Sequence, residues 1–584
     1  MSQKLYGSDV IVEILRRLGV EYAAFNPGAT FRGIQDSLVN YADNGHPEVI
    51  ECCHEEISVA LAHGYAKAAG KPMAALVHDI VGLQHASMAI FNAWCDRAPV
   101  LVLGGTGPMD LTKRRPWIDW IHTAQVQGSL VRDYVKWDDQ PTGVASVPES
   151  LLRAYRIAQT EPPGPVYVCF DAALQEESLS GMPALPDPAR YGPPQPPVPP
   201  EEKLEEVANW LVEAEFPVIV AEYVGRNHGA IPALTELAET LGAPVMDHPS
   251  RFNFPTTHPM DSTGAAGDIL PRADVLLALD VPDLFRAVAT VDKSSRESAF
   301  RLAPGCRIAH ISMFDLMIRS WAADYHRLPP VDLPLAGSTE LALPRLVVLV
   351  RDRLAKDADR KAAARRRYEE LRERHLALRA RWTQEARQCR DSKPISLARL
   401  AMELWRFLQR EDWVLVNGTL SGWERKLWDL TSPDQFLGGS GGAGLGYGMG
   451  AAIGAALAYR DGSRLCVNLQ ADGDLLYTPS ALWTAAHYKI PLLSVVVNNR
   501  TYYNSEEHAQ VLARHRRRPE ERAGIGTRLD EPPVNFARLA EAYGLFGLGP
   551  IEEPDEIAGA LEKAIEVVKK EKTLALVDVV TQPR

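Results

Sequence analysis

The chain has 584 residues, a length that allows roughly three to four domains of about 150 residues each. Hydrophobic residues make up 46% and charged residues 24%, which excludes disorder as the main state. Asp and Glu (75) outnumber Lys and Arg (63), giving a formal net charge of −12, so neither a nucleic-acid partner nor an anionic membrane surface is expected. Seven cysteines without a Cys-x-x-Cys pair form neither a disulfide framework nor a zinc site, and Cys52, Cys53 and His54 read as local packing. No run reaches the roughly 18 apolar residues of a membrane span, and Met1–Val10 lacks the pattern of a secretory leader. A soluble, cytoplasmic protein is the expectation.

In chain order, helices over Ser8–Leu18 and Ile57–Ala69 are expected among short apolar strands at Glu21–Phe25, Ala74–Val77, Val100–Gly104 and Val166–Phe170. The run Pro183 to Glu201, with Pro-Pro pairs at 193–194, 196–197 and 199–200, reads as an extended linker. Strands at Pro217–Ala221, Pro244–Met246, Val275–Leu279 and Arg307–Ile311 follow. Residues 351–394 alternate in charge sign with few breakers and read as a solvated helical linker that Pro394 closes. A last set of strands is expected at Trp413–Asn417, Leu465–Gln470, Leu492–Val497 and Leu574–Val580. The expected fold class is α/β, with three doubly wound parallel-sheet domains over 1–182, 202–350 and 395–584.

The sharpest local signal is Ala471-Asp472-Gly473 followed by Asn498-Asn499 and Thr501. Asp472 and Asn499 each fall just past a strand, where open parallel sheets bind ligands. An Asp carboxylate, an Asn oxygen and a backbone carbonyl, as at Thr501, are hard donors suited to octahedral Mg²⁺ with positions left for phosphate and water. The turn at Gly473 lets backbone N–H groups approach a diphosphate. Asp-Gly and Asn-Asn are also ordinary turn pairs, so the motif gains weight from its company.

The 27-residue step from Asp472 to Asn499, with Ala481–Pro491 and Asn498–Tyr502, resembles the signature of thiamine diphosphate (ThDP) enzymes of the 2-oxo acid decarboxylase and carboligase superfamily, both benzoylformate decarboxylase-like and acetolactate synthase-like. Two departures stand out. Ala471 replaces a Gly, and Asp474 stands where decarboxylases often have Ser; a carboxylate there is expected to point away from the phosphate or to meet a cation. A second patch, His54-Glu55-Glu56 with Gly64-Tyr65-Ala66 and Gly70-Lys71-Pro72, resembles the pyrimidine-binding domain of the same superfamily. The family's catalytic Glu lies ten residues before that Tyr, which selects Glu55. A third patch, Gly442–Gly448, implies that Leu445 props the bent cofactor and that the Ala443 carbonyl accepts from the aminopyrimidine. Thr419 and Ser421 are candidate diphosphate hydroxyls.

The resemblance implies a pyrimidine-binding, a central and a diphosphate-binding domain, with ThDP and Mg²⁺ as cofactors. It implies a homodimer as the minimal active unit and a homotetramer as the usual one. FAD in the central domain is left undetermined, since neither Gly225–His228 nor Gly264–Gly267 reads as a dinucleotide loop.

His78, 23 residues beyond Glu55, matches a benzoylformate decarboxylase His and is the candidate for proton exchange. Ala29, in Asn26-Pro27-Gly28-Ala29, replaces a decarboxylase Ser that helps bind the substrate carboxylate. Asn26, Gln84, His85, Asn504 and His508 complete the candidate substrate pocket, and the Arg-rich stretch 514–527 reads as a mobile flap. The implied reaction is decarboxylation of a 2-oxo acid through an ylid and an enamine, with carboligation to an aldehyde or second oxo acid as an extension. The alternatives are an acetolactate synthase-type carboligase, a carbon–carbon bond hydrolase of a diketone and, less favoured, a non-catalytic binding protein of the same fold.

Overall fold

Short runs of Val, Leu, Ile and Ala become strands buried on both faces, the pattern of parallel sheets covered by helices. The computed structural model describes residues 4–116, 121–248, 250–317, 319–320 and 322–583. The first sheet runs Glu48–Glu51, Tyr22–Phe25, Met73–Val77, Val100–Thr106, Val166–Asp171, Asp138–Asp139, all parallel. The middle sheet runs Val245–Asp247, Pro217–Ala221, Val275–Leu279, Arg307–Ser312, Leu333–Ala336. The third runs Trp413–Asn417, Leu465–Ala471, Leu493–Asn498, Ala575–Val580, Phe546–Ile551. Each expected strand is present within a residue or two of its expected ends. Four more, at Glu48–Glu51, Asp138–Asp139, Leu333–Ala336 and Phe546–Ile551, lie at sheet edges and carry weaker apolar signals.

The helix Glu55–Ala69 is set by its ends. His54 caps it by accepting the Glu56 N–H at 3.2 Å, two acids occupy the positive first turn, and Gly70 ends it at φ +68°. It crosses the helix Tyr447–Ala458 of the third domain so closely that a Cβ on Gly64 would sit 1.9 Å from the Ala451 carbonyl oxygen. That crossing fixes how the first and third domains meet.

Asp96 joins the first and middle domains. Its carboxylate takes Arg251 at 2.6 Å, His63 at 2.7 Å and Lys67 at 3.0 Å, all buried. Lys67 also donates to the Gly439 carbonyl, which ties in the third domain. Nearby, Arg97 pairs with Asp280 at 2.7 Å and lies against the rings of Tyr223 and Phe314.

The charged stretch departs from the expectation of a solvated linker. The helix Thr339–Leu354 runs across position 351, and a 31-residue helix, Ala358–Gln388, packs on the middle domain. It buries Ala364, Leu371, His375, Trp382 and Ala386, and Arg367 donates to the Leu241 carbonyl. Its apolar residues are too sparse to register against so many charges, yet they share one face. No helix among the described residues is long and apolar enough to cross a membrane.

Candidate active site

The first sheet delivers one group of reactive side chains. Asn26 follows the strand Tyr22–Phe25, His78 follows Met73–Val77, and Glu55 begins its helix. Glu55 is buried; Oε1 accepts from Asn26 Nδ2 at 3.3 Å and Oε2 meets His85 Nδ1 at 3.2 Å. The His54 ring stacks on His85 at 4.8 Å, and burial, with His85 beside it, lowers the His54 pKa. His78 Nδ1 meets Thr30 Oγ1 at 2.9 Å, and Thr30 also accepts the Asp79 N–H. Asp79, next in sequence, holds φ +37°, a strained conformation for a side-chain-bearing residue. Gly82 separates Glu55 from His78: a Cβ there would lie 2.9 Å from Glu55 Oε1 and 3.2 Å from His78 Cβ. Glycine at 82 therefore lets the Glu55 carboxylate and the Cβ of His78 pack close to one another.

The third sheet forms the other group, around a cavity of about 530 Å³. Thr419, Ser421, Ala443, Leu445, Asp472, Gly473, Asp474, Asn499, Thr501 and Asn504 all line it. Asp472 is 3% exposed; Oδ1 accepts the Gly473 N–H at 2.8 Å, and Oδ2 is buried with no partner among the described residues. Burial pushes its pKa up to about 6, against the opposing pull of the Gly473, Arg500 and Thr501 N–H groups. Asn499 Oδ1 caps the Thr501 N–H at 3.0 Å, and the Thr501 hydroxyl turns to Glu506 at 2.8 Å, leaving the Thr501 carbonyl for another partner.

Three family models match this chain: the N-terminal binding domain of thiamine pyrophosphate enzymes over residues 5–130, the central domain over 204–345 and the C-terminal binding domain over 417–579. The chain belongs to the thiamine pyrophosphate enzyme family. It is 25% identical over 605 aligned residues to the acetolactate synthase large subunit of Haemophilus influenzae, covering 99% of this chain and 94% of that one. It is 26% identical to the benzoylformate decarboxylase of Pseudomonas aeruginosa, covering 95% of each. The solved 4-hydroxybenzoylformate decarboxylase of Rhodococcus jostii superposes with a TM-score of 0.75 at 20% identity, over 99% of this chain and 100% of that one, and so shares the fold.

As a thiamine pyrophosphate enzyme the chain has residues that fit its cofactor. The orphaned Oδ2 of Asp472 is a buried hard donor beside the Asn499 side chain, the set a Mg²⁺-diphosphate needs. Among the described residues the cavity lining falls between Leu397 and Gln582, and Glu55 is not part of it.

The remaining candidates take the following places. The Asp474 carboxylate is turned onto neutral donors: it accepts the backbone N–H groups of Gly446 at 2.8 Å and Gly448 at 2.9 Å, and Gln470 Nε2 at 2.7 Å. Those donors at the start of the helix Tyr447–Ala458 give a buried carboxylate what a cation would have supplied. His508 lies one turn beyond Asn504 on the helix Tyr503–His515, exposed and outside the cavity lining. The expected flap instead continues that helix into a turn at Glu520–Gly524, tied back by the Tyr502 N–H to the Thr527 carbonyl. Gln84 is exposed, as is Ala29, whose carbonyl accepts from Arg115 at 3.2 Å. His85 contacts Glu55 itself. Thr30 and His122 are the residues that sequence reasoning missed. Thr30 directly follows the Asn-Pro-Gly-Ala run and was within reach of a local reading; His122 sits in a long connection with no motif.

Proposed function

We propose that this chain, as a homodimer at least and a homotetramer in its usual state, decarboxylates a 2-oxo acid with ThDP and Mg²⁺. The observation that carries the reading is the buried cavity-lining Asp472, whose Oδ2 has no partner among the described residues, beside Asn499 and Thr501. Bound ThDP supplies a carbon nucleophile and an electron sink, which lets CO₂ leave a 2-oxo acid. Asp472, the Asn499 side chain and the Thr501 carbonyl would hold Mg²⁺, while Thr419, Ser421 and the Gly473 N–H would face the diphosphate. The Ala443 carbonyl and the Leu445 side chain would seat the aminopyrimidine. Glu55, oriented by Asn26, would hold the proton at its ring nitrogen. His78, pinned by Thr30, would move a proton at the reacting carbon.

Glu55 is not in the lining of the Asp472 cavity among the described residues, which supports a second copy bringing them to one cofactor. Free thiols at all seven cysteines suit the reducing cytoplasm in which we place the protein. Ala29 supports a second reading. A position without a hydroxyl gives one fewer hold on a substrate carboxylate and leaves room for a second carbonyl compound, as in ligation of the acetolactate synthase kind. Product analysis with ThDP, Mg²⁺, pyruvate or benzoylformate, and an added aldehyde separates the two. Aldehyde with CO₂ supports decarboxylation, and a 2-hydroxy ketone or acid supports ligation. Acid from a cyclic diketone without CO₂ would replace both with hydrolysis.

A further inference from the structure

The peptide between Thr501 and Tyr502 sets the direction of one backbone oxygen at the cofactor cavity. In a trans peptide the carbonyl and the N–H that follows it point opposite ways. The Tyr502 N–H donates to the Thr527 carbonyl at 2.9 Å, so the Thr501 carbonyl is turned away from residue 527. Thr501 lines the Asp472 cavity and Thr527 is not part of that lining. The same contact continues on both sides: Thr501 bridges Arg528, and the Leu529 N–H donates to the Arg500 carbonyl at 2.7 Å.

Glu506 ties the two segments together. It is buried, and its Oε2 accepts the Thr501 hydroxyl at 2.8 Å and the Thr527 hydroxyl at 3.4 Å. A carboxylate can only accept, so the hydroxyls are the donors in both contacts. Its Oε1 takes Gln510 Nε2 at 3.4 Å and lies 3.7 Å from Arg528 Nη2. With the Thr501 N–H held by Asn499 Oδ1 at 3.0 Å, both the backbone and the stiff, branched side chain of Thr501 are fixed.

We propose that Glu506 is a positioning residue for the metal: by clasping Thr501 to Thr527 it aims the Thr501 carbonyl toward the cavity, and so couples Mg²⁺ affinity to the order of residues 516–527. This rests on the reading above, in which that carbonyl holds Mg²⁺ with Asp472 and Asn499. Glu506 is itself absent from the cavity lining among the described residues, so it acts through Thr501 rather than on the ion. The coupling is reciprocal: whatever orders the stretch ending at Thr527 tightens the ion, and the ion in turn steadies the stretch.

The test uses the full-length protein. Calorimetry of Mg²⁺ with ThDP in excess reads affinity, and hydrogen exchange by mass spectrometry reads residues 516–527 in the apoprotein. Glu506→Ala should weaken Mg²⁺ binding by about 10- to 100-fold, the usual effect of losing a group that orients a metal ligand, and should speed exchange over 516–527. Glu506→Gln, which keeps an acceptor oxygen, should recover most of both. Thr501→Val keeps the carbonyl and the branched shape without the hydroxyl, and it stands in if Glu506→Ala does not fold. It should weaken Mg²⁺ by a similar factor, and the double variant should be no weaker than the worse single one. Mg²⁺ affinity within about twofold of wild type in either single variant overturns the proposal, and additive losses in the double variant do the same. Weakened Mg²⁺ binding with unchanged exchange also overturns it, because the clasp would then not act through Thr527. A wild type that binds no Mg²⁺ in the presence of ThDP instead overturns the cofactor reading on which the proposal rests.

Discussion

The Asp474 carboxylate accepts the Gly446 N–H at 2.8 Å, which locks the turn bearing Asp472 to the loop bearing Ala443 and Leu445. The two ends of the cofactor cavity are thus held by one side chain. Asp474→Ala would orphan the N–H groups of Gly446 and Gly448 in a buried place, at about 1–3 kcal/mol each. We expect a lower midpoint in urea and weaker ThDP binding by calorimetry. Asp474→Asn, which keeps an acceptor oxygen, should lose less of both.

Asp472 is held near pH 6 by burial, above an unfolded value near 3.9. A raised carboxylate pKa means that the folded apoprotein bears a cost that is absent at low pH and complete above about pH 6. Asp472→Asn should therefore raise apoprotein stability at pH 7.5, by up to roughly 3 kcal/mol, while abolishing Mg²⁺-dependent ThDP binding. In the wild type, Mg²⁺ affinity should fall as pH drops through about 6, because only the carboxylate binds the metal. Thermal unfolding with and without MgThDP checks both.

Glu55→Gln keeps the size of the side chain and an oxygen for Asn26 but cannot exchange a proton. Turnover should fall by at least about 100-fold with ThDP and Mg²⁺ still bound. Calorimetry beside the product assay decides; loss of cofactor binding in step with turnover would mean that Glu55 is structural.

Burial alone would raise the Asp96 pKa, but Arg251, Lys67 and His63 outweigh it and hold the carboxyl well below its usual range. Its stabilisation is present above about pH 4 and is lost as pH falls below the unfolded value. Asp96→Asn leaves Lys67 and Arg251 buried without a counter-charge, and a loss of about 3–5 kcal/mol is expected. Urea unfolding at pH 7 and pH 2.5 reads it: the difference between variant and wild type should shrink at the lower pH, which lies below the unfolded value.

Strand positions were legible in the chain because residues buried on both faces of a parallel sheet must be apolar without interruption, as at Val275–Leu279. Asp472 and Asn499 were legible because a strand followed by a donor residue repeats one backbone geometry at a fixed step. The partners of Asp474 were not legible, since they are a pair of backbone N–H groups 26 and 28 residues earlier, and N–H groups have no residue identity. His122 was invisible for a related reason. Its contact with His78 spans 44 residues and depends on how one connection folds back over the sheet. Sequence alone determined which residue types stand at each strand end, because local geometry and burial are nearest-neighbour properties. Only the tertiary structure decided which of them touch, because an imidazole pair or a capped helix is made by chain segments that meet through packing rather than through order along the backbone.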